Sequence, residues 1–546
     1  MSTRYRVQLP GIALFLIAVM VANGGNVIAT HEPTRIFVAS DVQSEPVTDG
    51  NVVVWTDSRS GTRSTDIYAA RLSDRQEFPV ATGDAWQRNP DVDGGIVVWL
   101  ESMSGCHTCD MRIRGKELAA GEEFDVAGPA ETPGSPAISG NVVVWNQAGG
   151  TIKGRNLSTM APSFIIAQAT SSDSTDVSYL SPEIDRERIA WIEERYTVTG
   201  GVVDSDSRAS RLLMIRLNDN DPVVVAQSTD LLDFGVAGDH LAYNVGGELM
   251  VEHLAGGDSH LIATGVQGAA TDGRYVVSSR IVDGQRSDLS GFDVVSDSTF
   301  SIAASTGINS AAHVESGAIV WLQRVGGEQT LHAARIADVL PSAPRPDPNS
   351  TSPDWTYFSE TGHLLSYGFK MFWERSGGLP IFGYPLTEEF SEQNLDTGEV
   401  YTVQYVERQR FEYHPENTGT PYEVLLGRLA AQLLMYQGRD WTAFPKADPD
   451  APHYFPETGH AIAEQFWKYW SGHGLEFGDG GVSTRESLAL FGYPISETMM
   501  ETNADGDTVP TQYFERAVFE YHPDKPESYQ VLLRRVGAEL LATRGW

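Results

Sequence analysis

The chain has 546 residues, of which 41% are hydrophobic and 10% aromatic, so it is long enough for several domains and apolar enough to fill their cores. Its formal net charge of −34 at pH 7 repels a phosphate backbone. Since no basic stripe interrupts this acidic composition, nucleic-acid binding is excluded as a function.

The first 29 residues have the pattern of an export signal. Arg4 and Arg6 precede an apolar run over 9–22, and residues of small or modest size follow at 27–29. This is the order of charge, apolar stretch and cleavage site in secretory signal peptides. An uncleaved N-terminal anchor is the alternative, because the cleavage site is not sharp. We expect a secreted or cell-surface protein of a bacterium, with no transmembrane span apart from this segment.

The two cysteines, Cys106 and Cys109, are separated by two residues. A structural zinc site needs four ligands, and a redox dithiol needs a helix N-terminus that lowers its thiol pKa. Here the pair lies in a predicted loop without a second cysteine pair, and an exported protein meets an oxidising environment. The sequence therefore predicts a small surface disulfide, with no metal and no cofactor.

A strand motif recurs about every 45 residues between 34 and 337. A turn precedes an apolar strand that ends, in most copies, on an aromatic residue; these ends are Trp55, Trp99, Trp145, Trp191, Tyr243, Ser278 and Trp321. Each unit holds three or four short strands, as one blade of a β-propeller requires. The sequence predicts an all-β, seven-bladed propeller over 34–337, with six or eight blades left open by the position of ring closure.

The first unit resembles the repeat of TolB-type and surface-protein propellers. It has WTDSRSG at 55–61 and DIY at 66–68, which match the pattern W-x-D-x-R-x-G followed by D-I-Y. The other units keep the turn and the aromatic residue but not the Asp and Arg. The resemblance implies a propeller fold and brings no catalytic residue with it.

After a proline-rich segment at 338–355, predicted to be a semi-rigid linker, the sequence repeats itself. YFSETGH at 357–363 returns as YFPETGH at 454–460, FGYP at 382–385 returns at 491–494, and FEYHP at 411–415 returns at 519–523. Each copy shows an amphipathic helix, a hairpin and a closing apolar helix. We predict two small α+β modules at 356–438 and 453–546, with an insertion near 476–486 in the second.

The FGYP element resembles the LGFP-type repeat of secreted and wall-associated bacterial proteins. The longer pattern, from YFxETGH to FEYHP, is similar to C-terminal modules of exported proteins of Chloroflexota-type bacteria. These resemblances imply attachment to the cell envelope or to an extracellular polymer.

Short polar and aromatic elements recur in both copies and form the candidate binding set: Glu360, His363, Tyr384, Glu457, His460 and Tyr493. A Glu–His pair can act as acid and base or bind a metal, but a domain present twice more often binds than catalyses. The alternative is that the histidines cap a helix and bond across the module. No catalytic residue is assigned.

Two functions remain in competition. The leading hypothesis is an exported binding or scaffold protein, whose propeller recognises a protein or glycan and whose tandem modules hold the envelope by avidity. The alternative is a carbohydrate-active or hydrolytic enzyme with its site in the propeller funnel. The chain has no G-x-S-x-G, H-E-x-x-H or S-x-D-x-G-x-x-W motif, which favours binding.

Overall fold

The computed structural model describes residues 35–37, 43–59, 64–102, 106, 108–170, 172, 174–284, 286–303, 307–504 and 506–546. The export signal predicted at 1–29 lies outside these residues. Within them, no helix is both long and apolar enough to cross a bilayer. From His31 onward the chain forms one compact unit.

Residues 35–335 form four-stranded antiparallel sheets. Their strands are β1 (Arg35–Phe37), β2 (Gln43–Thr48), β3 (Val52–Asp57), β4 (Asp66–Arg71), β5 (Glu77–Ala81), β6 (Trp86–Asp93), β7 (Ile96–Ser102), β8 (Arg112–Glu117), β9 (Glu123–Ala127), β10 (Pro133–Ser139), β11 (Val142–Gln147), β12 (Thr151–Asn156), β13 (Phe164–Gln168) and β14 (Thr175–Asp185). They continue with β15 (Arg188–Thr199), β16 (Val202–Arg216), β17 (Val223–Ser228), β18 (Leu231–Ala237), β19 (His240–Val245), β20 (Glu248–His253), β21 (Asp258–Thr264), β22 (Val266–Thr271), β23 (Tyr275–Asp283), β24 (Arg286–Asp293), β25 (Ser298–Ala303), β26 (Ile308–Glu315), β27 (Ala318–Val325) and β28 (Glu328–Arg335).

We number the sheets in chain order. Sheet 1 contains β2–β5, sheet 2 β6–β9, sheet 3 β10–β13, sheet 4 β14–β17, sheet 5 β18–β21, sheet 6 β22–β25, and sheet 7 β26–β28 together with β1.

The first strands of successive sheets lie side by side in a closed ring. β2 contacts β6 on one side and β26 on the other, so the last sheet returns to the first. The ring is also closed by the first strand of the chain, β1, which pairs with β28 of the last sheet. An apolar cluster lies at each junction between neighbouring sheets, as radial packing requires, because each sheet buries both faces. This part of the chain is a β-propeller.

Buried tryptophans lie in the second strands of five sheets: Trp55, Trp99, Trp145, Trp191 and Trp321. Each strand continues beyond its tryptophan, so the expectation that the aromatic residue ends the strand is wrong. In sheet 1 the buried Asp57 accepts hydrogen bonds from Trp55 Nε1 (2.9 Å) and Arg59 Nε (2.9 Å). The Arg59 guanidinium lies 4.1 Å above the Tyr68 ring. The TolB-like motif thus has a structural role, since it ties the second strand to the third.

The C-terminal part begins with α1 (Ile336–Val339) and then presents one order of elements twice. The first repeat contains β29 (Trp355–Phe358), β30 (His363–Ser366), α2 (Tyr367–Arg375), α3 (Gly378–Phe382), β31 (Phe390–Gln393), β32 (Val400–Tyr405), β33 (Arg410–Tyr413), β34 (Val424–Leu426) and α4 (Leu429–Tyr436). The second repeat contains β35 (Tyr454–Phe455), β36 (His460–Ala461), α5 (Glu464–Gly472), α6 (Thr484–Phe491), β37 (Met499–Thr502), β38 (Thr508–Tyr513), β39 (Val518–Tyr521), β40 (Val531–Leu533) and α7 (Val536–Arg544).

The two repeats share their apolar cores. One cluster combines Phe372 and Phe411 of the first repeat with Phe466 and Phe519 of the second. Another is built around the contact of α4 with α7. Backbone hydrogen bonds cross between the repeats in both directions: the Ala431 amide donates to Glu515 O, and the Ala538 amide donates to Glu407 O, both at 3.2 Å. Each closing helix therefore packs against the other repeat.

Contacts also fasten the repeats to sheet 6. β31 pairs antiparallel with β25, so sheet 6 continues into the sheet of the first repeat. Trp546 Nε1 donates to Asp293 at 2.8 Å, and Arg274 Nη2 donates to the Arg544 carbonyl at 2.6 Å. In the proline-rich segment that joins the propeller to the repeats, the Arg345 amide donates to Gly362 O.

Candidate functional site

The histidines of the candidate binding set are buried. His363 Nδ1 lies 3.1 Å from Glu388 Oε1, and His460 Nδ1 lies 3.0 Å from Glu497 Oε1. The same two carboxylate oxygens accept the amides of the residues that follow the histidines. These bonds hold the start of each repeat against the segment after FGYP, so the imidazoles face protein rather than solvent. Sequence analysis missed the glutamates, although both lie three residues after the FGYP proline.

The two histidines differ in one neighbour. Lys446 Nζ lies 3.0 Å from His460 Nε2. Burial and the charge of Lys446 lower the pKa of His460, against the opposing effect of Glu497. A neutral imidazole can accept the Lys446 hydrogen bond while its Nδ1–H donates to Glu497.

The other four predicted residues form one pair in each repeat. The Tyr384 hydroxyl donates to Glu360 Oε1 at 3.3 Å. Burial, and then the charge of Glu457, raise the pKa of Tyr493. Both glutamates are exposed and both tyrosines are half-buried. Each pair therefore offers a carboxylate and a phenol at the surface, and these pairs are the part of the predicted set that faces solvent.

The disulfide is present as predicted. Cys106 and Cys109 are bonded, with their Cα atoms 5.5 Å apart. They follow β7 and precede β8, in the loop where the sequence placed them.

A second set of polar residues lines the ring of first strands. The last polar side chain of a first strand, or the one just after it, accepts a hydrogen bond from the turn of the next sheet. The donor and acceptor pairs are Gly95 N with Asp49 (3.1 Å), Gly140 N with Asp93 (2.6 Å), Arg186 N with Ser139 (2.9 Å), Gly238 N with Asp185 (2.7 Å) and Gly317 N with Asp272 (3.0 Å).

Deeper in the ring, carboxylates follow bulges in the first strands. Asp91 accepts from the Ile138 amide of the next sheet at 2.7 Å, and Glu183 accepts from the Val236 amide at 3.3 Å. Each carboxylate follows a proline, Pro90 or Pro182, at a register shift. A proline has no amide hydrogen to donate to the ladder, and it is tolerated there because a bulge leaves one residue unpaired. In the sequence, a proline four or five residues before the turn marks each of these two hydrogen-bonded carboxylates.

These carboxylates influence one another across the ring. Burial raises the pKa of Asp91 to about 7, and the charge of Asp93 on the same strand adds to this shift. Burial also raises the pKa of Glu315 to about 7, to which the charges of Asp272, Asp185 and Asp93 in other sheets add. Burial, then Asp233 and Asp91, also raise the pKa of Glu183. In the residues that the structure describes, no group of three or more His, Cys, Asp or Glu side chains could hold a metal ion.

A cleft of about 870 Å³ opens between the two repeats. This volume suits a small ligand or a few side chains of a peptide. One wall is α3 and Arg408 of the first repeat, and the other is formed by the end of α5, the segment 525–533 and α7 of the second. Sequence analysis did not find this cleft, because it exists only where the two copies meet.

The cleft is lined by charges of both signs. Arg408, Lys525, Arg534 and Arg535 line it together with Asp507, Glu520 and Glu539. Arg534 pairs with Glu539 at 3.0 Å, and Arg408 lies 3.6 Å from Glu407. These charges therefore do not select an acidic or a basic ligand.

No family model and no curated protein matches the chain. Its structural neighbours are β-propeller proteins. The β-propeller domain of the trilobed protease from Pyrococcus furiosus is 11% identical, covering 55% of this chain and 98% of that one, with a TM-score of 0.41. TolB from Acinetobacter baumannii is 13% identical, covering 45% and 62%, with a TM-score of 0.30. The computationally designed Ika8 protein is 12% identical, covering 70% and 96%, with a TM-score of 0.36. At these scores, the neighbours carry no argument about function.

Proposed function

We propose that this protein is an exported binding scaffold of the bacterial cell surface. In this proposal the propeller recognises a protein or glycan, and the C-terminal pair associates with the cell envelope. The single observation that carries the envelope association is that each repeat presents a Glu and a Tyr side chain at its surface, Glu360 with Tyr384 and Glu457 with Tyr493.

The architecture that we propose is a seven-bladed propeller over 34–337, a segment at 338–355, and two α+β modules at 356–438 and 453–546. The four-stranded sheets and the contact of β2 with β26 support the blade number. The repeated order of strands and helices supports the modules. Their shared cores suggest that the pair acts as one body rather than as two independent units.

Retention on purified cell walls and insoluble polysaccharides tests the proposed function with the full-length protein. We expect wild-type protein to sediment with at least one of these polymers. Combining Tyr384→Ala with Tyr493→Ala should reduce the bound fraction about tenfold, because both exposed Glu–Tyr pairs lose their phenol. Tyr436→Ala is the control, since that tyrosine reaches the surface, as Tyr384 and Tyr493 do, and lies outside these pairs.

Two results would count against this proposal. If wild-type protein stays in the supernatant with every polymer, envelope association is wrong. If the double variant is retained as well as Tyr436→Ala, the contact surface is not formed by the Glu–Tyr pairs.

The alternative function, a carbohydrate-active or hydrolytic enzyme with a site in the propeller funnel, has one observation in its favour. A carboxyl with a pKa of about 7, as at Asp91 and Glu315, can donate or accept a proton at neutral pH. The bond from the Ile138 amide gives Asp91 a structural role instead. Turnover of a glycosidase, lyase or esterase substrate that is lost in Glu315→Gln would favour the enzyme.

A further inference from the structure

We propose that the open cleft between the repeats binds a peptide segment of a partner protein, with one aromatic side chain seated against Tyr529. This inference rests on the proposed binding function and names the class of ligand. It comes from comparing two clefts that lie at equivalent positions of the two repeats, one of which is filled and the other open.

Matching contacts define both clefts. Arg408 of the first repeat donates from Nε to the Leu533 carbonyl at 3.2 Å, and Arg516 of the second donates from Nε to the Leu426 carbonyl at 3.1 Å. Tyr529, which lines the open cleft, corresponds to Tyr422 in the first repeat. The geometry therefore provides two equivalent positions for an occupant, one beside each tyrosine.

The position beside Tyr422 is filled by the protein itself. The insertion of the second repeat runs between α5 and α6, and it places the Phe477 ring 5.1 Å from the Tyr422 ring. Phe477 packs against the shared core, and its neighbour Leu475 is buried within that core. The insertion is thus an internal occupant of this cleft.

The position beside Tyr529 is open. In the first repeat, α2 ends at Arg375 and α3 begins at Gly378, so the two residues between them are too few to form a matching loop. The outcome is visible in the exposure of the two tyrosines, which is 61% for Tyr529 and 38% for Tyr422.

The internal occupant indicates which chemistry fits. Its sequence at 474–481 is GLEFGDGG, and Phe477 is the side chain that meets Tyr422. The carboxylates beside it bond within the second repeat, since Glu476 accepts from the Gly478 amide at 3.1 Å and Asp479 pairs with Arg485 at 3.0 Å. The aromatic ring is therefore the part of this segment that the cleft recognises, and a ring carried by a short peptide fits the open position beside Tyr529.

A labelled peptide with the sequence of residues 473–481 tests this inference by fluorescence anisotropy with the full-length protein. We expect saturable binding, and a peptide with Ala in place of Phe477 should bind at least tenfold more weakly. Tyr529→Ala in the protein should have a similar effect. Tyr436→Ala is the control and should bind like wild type. Melting curves establish that each variant is folded.

A chimera provides a second test. Inserting residues 473–483 between Ser376 and Gly377 gives the first repeat the missing loop, and we expect the chimera to bind no peptide because the cleft is filled.

Absence of saturable binding at millimolar peptide, or equal affinity of wild type and Tyr529→Ala, would overturn the inference. Binding of a neutral oligosaccharide in place of the peptide, with loss in Tyr529→Ala, would overturn the ligand class. In each case the wall-retention experiment still reports independently on the proposed function, because it depends on Tyr384 and Tyr493 rather than on Tyr529.

Discussion

The two C-terminal repeats place a buried guanidinium in the same environment from different positions in the sequence. In the first repeat, Arg410 on β33 pairs with Glu392 at 2.6 Å and with Glu412 at 2.5 Å. In the second, Val518 takes the place of Arg410. Arg534, directly after β40, pairs there with the two corresponding glutamates, Glu501 and Glu520.

The residue that corresponds to Arg534 in the first repeat is Gly427. A Cβ at Gly427 would lie 2.8 Å from Glu412 Oε1 and 2.9 Å from Arg410 Nη2, so a side chain there would displace the arginine. The two copies teach that the fold requires a guanidinium between these two glutamates, whichever strand supplies it. Removing Arg410 would leave Glu392 with Arg544 as its remaining cation and Glu412 with its bonds to His414 and Asn394, in a site that stays buried.

The largest expected effect comes from removing this charge in the first repeat. Arg410→Val should lower the free energy of unfolding by about 3–5 kcal/mol, as loss of one partner from a buried ion pair does. Adding Gly427→Arg gives the first repeat the arrangement of the second and should restore most of the loss. Urea denaturation measures both variants. A double variant no more stable than Arg410→Val would show that the two arrangements are not interchangeable.

The second effect concerns the start of the closing helices, where Ala430 in α4 corresponds to Gly537 in α7. A Cβ at Gly537 would overlap the carbonyl oxygen of Val406, so Gly537→Ala should cost about 2–3 kcal/mol through overpacking. Gly368→Ala is the matched control. That helical glycine has open space around its Cβ position, and alanine there should be neutral or stabilise by up to about 1 kcal/mol. Equal melting temperatures for the two variants would contradict this account.

A third variant tests how the end of α7 attaches the two C-terminal repeats to the propeller. Trp546 packs against Phe390, with ring centroids 5.2 Å apart, and donates to Asp293. Trp546→Ala should lower stability by about 1–2 kcal/mol, since Asp293 keeps its bond to Arg274. Calorimetry should also show the propeller and the repeats beginning to melt separately. A single unchanged transition would mean that β25–β31 pairing is sufficient.

The smallest effect distinguishes the two buried histidines. Because the pKa of His460 is lowered in the folded protein, the unfolded chain binds more protons below about pH 6.5, and stability falls as the pH decreases through this range. Lys446→Met removes the neighbouring positive charge and should raise the pKa of His460. The loss of stability between pH 7 and 5 should then shrink by under about 1 kcal/mol. Titration of His460 by NMR measures the shift directly, and an unchanged pKa would assign the whole effect to burial.

The sequence predicted those parts of the fold that repeat along the chain. The strand period and its tryptophans identified the propeller, because the position that Trp145 occupies has the same buried environment in every sheet with a tryptophan there. The disulfide followed from the spacing of Cys106 and Cys109. The duplicated motifs likewise indicated a second copy of the C-terminal elements.

Features that depend on contacts between residues distant in the sequence were not predictable in the same way. His363 was proposed as a surface group from its recurrence, but recurrence equally marks a residue that the fold needs, and its partner Glu388 lies 25 residues away. Arg410 and Arg534 occupy unmatched positions, so alignment of the copies hides their equivalence. The cleft lies between the copies, and its opening depends on a loop that the first repeat lacks.

The pairing of β1 with β28 has a consequence for the order of folding. Sheets 1 to 6 each use consecutive strands, so each can assemble as soon as its own residues have been synthesised. Sheet 7 combines the first strand with the last three, and such long-range pairing is slow because chain entropy is lost before the contact forms. During synthesis the propeller is therefore an open arc, whose two end sheets expose apolar faces until the last strand arrives. Aggregation in this interval is the hazard that ring closure removes.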